Sequence, residues 1–288
     1  MSDNPGFPPR VALVISIVAV STASILIRMS SAPPLAIAAY RLVLSTFILL
    51  PFFLWKGGLN RLRRVSFGEF LTLMGVGVVL ALHFATWITS LSFTSVASSV
   101  IFVHADPIFV AVVSHIAFGE RITRRRLLGI FVAFIGVTVV AIGDLGLGEA
   151  NLSGDVLALI GAVMLGIYIL SGRRLRQNLD LVSYVTPVYG ASAAVLTAAC
   201  ALTGTPLAPY PPREYFLFLA IAVVPMIFGH TVYNWALKYL EAPVVSIGLL
   251  GEPVGATVLA LVILNEVPAP LAVVGGVITL VGIYVTAS

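Results

Sequence analysis

The chain is poor in cysteine, in charge and in alternating polar and apolar positions, and each scarcity removes a class of protein. Cys200 is the only cysteine, so neither an intrachain disulfide nor a cysteine-based zinc site is available. Asp, Glu, Lys and Arg make up 10% of 288 residues against 59% hydrophobic residues, and the mean hydropathy is +1.08, so the polar surface of a water-soluble domain is missing. HExxH and GxxxxGK[ST] are absent, as is a GxGxxG in a strand-to-helix setting, and no soluble stretch is long enough to house ATP hydrolysis. The His and Ser residues do not fall at the spacing of a nucleophile-base pair or a metal cluster. An enzyme is therefore not expected, nor is a cofactor.

What the chain has in abundance is long apolar sequence. Runs span about 10–31, 34–55, 69–91, 96–118, 127–143, 154–171, 181–204, 214–236, 243–264 and 269–287. Most approach the ~20 residues that a helix needs to cross ~30 Å of hydrocarbon. They are too long and too uniformly apolar for barrel strands, which alternate over roughly 10 residues. The expectation is an all-α integral membrane protein with ten transmembrane helices. The first run exceeds the apolar core of a signal peptide, about 7 to 15 residues, and reads as a retained helix.

Charge gives these helices a direction. With a cytoplasmic N-terminus, the inside loops hold Arg10, Lys56, Arg61, Arg63, Arg64, Arg121, Arg124, Arg125, Arg126, Arg173, Arg174, Arg176 and Lys238, which is 13 of 16 basic residues. The opposite orientation inverts the positive-inside rule. Outside loops carry Asp144, Glu149, Asp155, Glu214 and Glu266. Both termini are expected in the cytoplasm of a bacterial cell, with the helices in its inner (plasma) membrane. The basic loops set orientation and can touch anionic lipid; nucleic acid is not an expected partner, because the aromatics lie in the spans and not among these arginines.

The sequence also repeats itself. Asp106-Pro107, Glu120, Gly129 and Gly136 recur as Glu252-Pro253, Glu266, Gly275 and Gly282, each 146 positions later (252 − 106). Arginines follow Glu120, whereas Val267, Pro268, Ala269 and Pro270 follow Glu266. Five spans per copy place equivalent loops on opposite sides of the membrane. The reading is two inverted-topology five-helix repeats, residues 1–143 and 144–288, an arrangement that can exchange an inward-open for an outward-open site.

Carboxylate-proline pairs in the fourth and ninth helices, a Glu after each, and glycine-spaced fifth and tenth helices resemble the EamA-type units of the drug/metabolite transporter superfamily. Within it, the chain is similar to the YddG-type aromatic amino-acid exporters. The resemblance implies alternating-access export and a central cavity lined by helices 1, 3, 4, 6, 8 and 9.

His83, Trp87 and Ser90 share one face of the third helix, and His230, Tyr233 and Asn234 share one face of the eighth. The lining helices add Ser99, Tyr168 and Ser246. Rings and a few hydrogen-bonding groups suit an amphipathic solute such as an amino acid. Interhelical hydrogen bonding is the plainer use of the same residues. Asp106, Pro107, Glu252 and Pro253 are candidates for coupling or for a kink, because a mid-span carboxylate is costly and proline disturbs the helix. Arg41, roughly 10 Å inside the outer end, is expected to snorkel or to serve structurally more than to meet a carboxylate. A phosphorylated-metabolite or nucleotide-sugar exchanger would favour deep cations, and only Arg28 and Arg41 offer them. A receptor or scaffold is the other alternative. The glycine seams imply close helix packing, within the molecule or in a homodimer.

Overall fold

In lipid, every backbone polar group has to be satisfied inside the chain, and helices achieve this locally. The computed structural model describes residues 6–106, 108–109, 123–145, 148–176, 178–236, 238–240 and 249–287, and no strand occurs among them. The main helices are α1 (Pro9–Arg28), α2 (Pro34–Trp55), α3 (Phe67–Ser90), α4 (Val96–Val103), α5 (Arg124–Leu145), α6 (Glu149–Leu175), α7 (Leu181–Thr203), α8 (Pro212–Ala236), α9 (Gly251–Ile263) and α10 (Pro270–Ala287). Seven of them, α1 to α3 and α5 to α8, contain stretches long and apolar enough to cross a membrane. Helices α9 and α10 are shorter apolar helices, and α4 covers only the start of the expected span at 96–118, much of which lies outside the described residues.

Local sequence sets the helix ends. Proline occupies the first turn of α1, α2 and α8, where its missing N–H is no loss. Ser66 and Glu69 form a reciprocal capping box on α3, and Ser95 accepts from the Ser98 amide at 3.0 Å to cap α4. Gly204 ends α7 in the left-handed region at φ 68°, which costs a side-chain-bearing residue more.

Two helices are irregular. Helix α1 breaks at Thr22, whose hydroxyl donates to the Ala19 carbonyl at 2.7 Å. Helix α8 widens into a π-helix over Ala222–Thr231, with Pro225 inside it. Neighbouring hydroxyls meet its carbonyls: Ser45 donates to Ala222 at 3.2 Å and Ser16 to Gly229 at 2.9 Å. Asp106 and Glu252 do not sit in equivalent mid-helix positions. The chain turns at His104-Ala105 just before Asp106, and Glu252-Pro253 lies in the first turn of α9, where proline removes no helical bond. Pro107, Glu120 and Ser246 lie outside the described residues.

Glycines decide how closely the helices meet. Helices α5 and α10 cross antiparallel with backbones in contact: a Cβ on Gly136 would strike Thr279, one on Gly143 would meet Leu271, and one on Gly282 would strike Ala133. This seam lies within one chain. On the other side, Gly77 of α3 meets α7 at Val188 and Ala191, and Gly161 of α6 meets Thr86 and Trp87 of α3. Helix α1 runs against α8 at Val20 and Gly229 and alongside α9 at Ser21 and Gly255.

One end of the bundle gathers Arg28, the α3–α4 turn, Glu214 and Glu266. Arg28 pairs with Glu266 at 2.8 Å and donates to the Leu91 carbonyl at 2.7 Å, while Glu266 accepts from the Val96 amide at 2.6 Å. Glu214 accepts from Ser30 and Ser31, and Arg213 reaches the Met29 carbonyl at 3.0 Å. The opposite end gathers Lys56, Arg61 and the α6–α7 turn, where Arg61 pairs with Asp180. Helices α1 and α6 therefore run in opposite directions, as do α2 and α7, and α3 and α8.

Two outcomes follow from this geometry. Gly282→Ala forces α10 off the α5 backbone, and a loss of about 1–3 kcal/mol is expected, read as a lowered Tm in detergent; Gly68→Ala, where open space surrounds the new methyl, should leave Tm in place. Burial pushes the Asp180 carboxyl up, but hydrogen bonds from Ser183 and the Arg61 guanidinium outweigh this and hold it below the usual carboxylate value. Its contribution is therefore present above the ordinary carboxylate pKa of about 4 and is lost as pH falls through the lowered value. The stability gap between the wild type and Asp180→Asn should be open at pH 7 and close progressively below about pH 4.

Candidate functional site

The faces of α3 and α8 meet inside the bundle. His83 donates through Nδ1 to the Gly161 carbonyl of α6 at 2.9 Å and lies parallel to Trp87, with centroids 6.0 Å apart. This bond places the His83 proton on Nδ1. On α8, Tyr233 Oη lies 3.2 Å from His230 Nδ1, and Asn234 donates through Nδ2 to the His230 carbonyl at 2.7 Å and to the Tyr168 hydroxyl at 3.1 Å. Phe84 joins the two faces, its ring 5.4 Å from that of His230. Tyr168 stacks near Tyr184, and Tyr189 meets Thr231 at 3.2 Å. The cluster is sealed from solvent, with Trp87 and Tyr233 each 3% exposed.

At its centre stands Arg41. The expectation that this side chain snorkels is not met: it is fully buried at 0% exposure, because α2 turns it toward α3 and α8 and away from the surface. Its guanidinium carbon lies 4.1 Å from the Phe84 ring centroid and 5.8 Å from that of Trp87, and Nε is 3.4 Å from Met226 Sδ. Neither Nη1 nor Nη2 has a hydrogen-bond partner. Stacking on ring faces offsets part of the roughly several kcal/mol that burying an ion costs, and leaves two donors directed at nothing. Glu252, Tyr189 and Tyr233 lie within electrostatic reach of this cation.

The other candidates divide. Ser90 and Ser99 bond to each other across α3 and α4 at 2.7 Å, and Ser90 also reaches the Trp87 carbonyl, so these hydroxyls tie helices together. The Trp87 indole N–H is buried without a partner, beside the equally unpartnered pair of nitrogens on Arg41. His104 Nε2 lies 3.1 Å from Glu252 Oε2, which joins α4 to α9, and Asp106 is buried next to this pair. No group of three or more metal-binding side chains is found among the described residues.

Sequence reasoning set Arg41 aside and missed Phe84 and Met226. A single arginine inside an otherwise uncharged span was the available signal for the first. Nothing in the pattern of the α8 sequence distinguishes Met226 from its apolar neighbours; it is the π-helical turn around Pro225 that brings Met226 and His230 to the same interior as Arg41.

The comparisons with known proteins agree with this architecture. An uncharacterized transporter of Archaeoglobus fulgidus is 26% identical over 284 residues, covering 96% of this chain and 95% of its own length. The uncharacterized transporter YyaM of Bacillus subtilis is 23% identical, covering 87% and 83%. A protein of Streptantibioticus cattleyicolor named a probable terminal-alkyne amino-acid exporter is 27% identical over 182 residues, 62% of this chain and 59% of its own. A solved crystal structure shares the fold with a TM-score of 0.69 at 18% identity, over 96% of both chains. Residues 10–142 and again 152–288 match the EamA-like transporter family. A helical bundle with seven helices among the described residues long and apolar enough to cross a membrane, and two such matches in succession, is a multi-pass membrane protein, and the chain belongs to the EamA-like transporter family.

Proposed function

We propose that this transporter exports amino acids, aromatic or otherwise neutral, and similar amphipathic metabolites by alternating access. The observation that carries the reading is Arg41, a buried cation with two unpartnered terminal nitrogens seated on Phe84 and Trp87. A carboxylate accepts both donors of a guanidinium at once, and such a bidentate, charge-assisted pair is strongest in a dry site. The surrounding rings receive an apolar side chain, and an aromatic face attracts an ammonium. The relative named as an amino-acid exporter supports the substrate class, and the likeness to YddG-type exporters supports the direction.

Charge argues against the phosphorylated-metabolite alternative. Arg28 is already held by Glu266 and the Leu91 carbonyl, which leaves Arg41 as the permanently charged cation of the central cluster among the described residues. One guanidinium balances a monocarboxylate; a phosphate dianion calls for more.

The same reading takes the chain as ten spans in two inverted units, residues 1–143 and 144–288, with both termini in the cytoplasm of a bacterial cell. The antiparallel relation of α1 to α6 and of α5 to α10, and the family match in each half, support it. The basic end at Lys56 and Arg61 is then cytoplasmic, and the Arg28–Glu266 contact closes the outer end. Differential binding of solute to the two openings supplies the coupling between solute and conformation.

Counterflow of labelled amino acids in proteoliposomes tests the substrate class. Saturable exchange of phenylalanine or another neutral amino acid is expected, with Arg41→Gln reducing it about tenfold or more. Exchange of phosphorylated compounds in place of amino acids would reject the reading. The outer contact has its own readout. In a Cys200→Ser background, a cysteine placed by Ala32→Cys should react with a membrane-impermeant maleimide about two to five times faster when Glu266→Gln removes the ion pair; an unchanged rate removes this contact as an outer closure.

A further inference from the structure

At the basic end, the C-terminus of α2, the α6–α7 turn and the C-terminus of α8 enclose a cleft of about 400 Å3. Lys56, Arg176 and Lys238 line it, and Trp235 and Tyr239 form an aromatic wall with ring centroids 4.8 Å apart. Asp180 also lines it, but this carboxylate already caps α7 through the Ser183 amide and pairs with Arg61. Lys56 and Arg176 therefore stand beside aromatic surface in a cleft whose one described carboxylate is already engaged.

Arg176 separates this cleft from the central cluster. Its side chain is 7% exposed, with Nε 3.4 Å from the Asn234 carbonyl and Nη1 donating to the Leu179 carbonyl at 2.9 Å. Asn234 is the residue whose side chain holds Tyr168 in the central cluster. One guanidinium hydrogen-bonded to two neutral carbonyls, with the Asp180 carboxylate also within electrostatic reach, thus lies between the two compartments. A carboxylate arriving in the cleft offers it a stronger, charge-assisted pair. Turning toward that carboxylate frees the Asn234 carbonyl and loosens the wall.

We propose that the cleft is a second anion site, in which Arg176 and Lys56 take the carboxylate of a small amphipathic solute and Trp235 with Tyr239 takes its apolar part, ahead of its transfer to Arg41. The proposal rests on the reading above for the solute and for the cytoplasmic position of this end. Oppositely charged walls raise the local concentration of an anion, so a basic vestibule on the loading side also favours capture.

The three tryptophans, Trp55, Trp87 and Trp235, allow both sites to be read in one protein. The full chain is labelled with 5-fluorotryptophan, placed in phosphatidylcholine nanodiscs, and titrated with potassium acetate and then with L-phenylalanine while 19F resonances are followed. A saturable shift of the Trp235 resonance with both probes is expected. Arg176→Gln should weaken it about tenfold or more, and Arg176→Lys should weaken it less. Lys56→Gln, which leaves the buried guanidinium in place, should weaken it as well. Arg41→Gln should abolish the Trp87 shift and spare that of Trp235. No Trp235 response, or one indifferent to all the cleft substitutions, overturns the proposal. A response seen only after phosphatidylglycerol is added overturns it too, and assigns the cleft to lipid headgroups. A Trp87 shift without a Trp235 shift leaves the transport reading standing and removes the vestibule; the reverse pattern keeps the vestibule and removes the central carboxylate site.

Discussion

A charge held in apolar surroundings is the constraint around which the interior is arranged. Arg41 sits where an ion is costly, and the aromatic ring of Phe84, the sulfur of Met226 and the field of Glu252 each offset part of that cost. Holding these groups together requires α2, α3, α8 and α9 to converge. Convergence in turn requires α8 to widen, since the π-helical turn aims Met226 and His230 inward together. The helix then needs partners for its displaced carbonyls, and Ser45 and Ser16 supply hydroxyls from α2 and α1.

The two family-matching stretches are alike in sequence, and their differences sit at the interior. His83 and Gly229 are equivalent positions by the 146-residue offset. His83 fills the gap between α3 and α6 and bonds to the Gly161 carbonyl. Gly229 fills nothing, and α1 moves in at Val20 until a methyl would no longer fit. One copy therefore presents His83 and Trp87, the other His230, Tyr233 and Asn234 with a close Val20–Gly229 contact. An asymmetric interior of this kind suits a solute with one charged and one apolar end.

The polar ends of the bundle belong to the same logic. Glu266, one of the residues that recur between the two copies, is a junction: it pairs with Arg28 from α1 and caps α4 through the Val96 amide. At the opposite end Asp180 does comparable work for Arg61 and α7. Each contact joins the two halves of the chain, and each is made of a few exposed or half-exposed groups that can separate at modest cost.

Hydropathy by itself established a membrane bundle and the approximate places of most helices, because these depend on transfer to lipid, a property of local sequence. The 146-residue recurrence pointed to close packing at the glycines of α5 and α10 and left their partner open; the structure sets these two helices against each other. Where Arg41 points was not legible. Snorkelling outward and stacking inward are both open to a long side chain on one helix, and only the position of Phe84, Trp87 and Met226 on other helices selects between them. The same holds for Ser90 and Ser99, which look like solute contacts along the chain and meet each other in space. Local sequence thus determined which segments are apolar enough to enter a membrane; tertiary structure decided which polar groups are used up between helices and which stay unpartnered, because a hydrogen bond has two partners and a sequence position has only one.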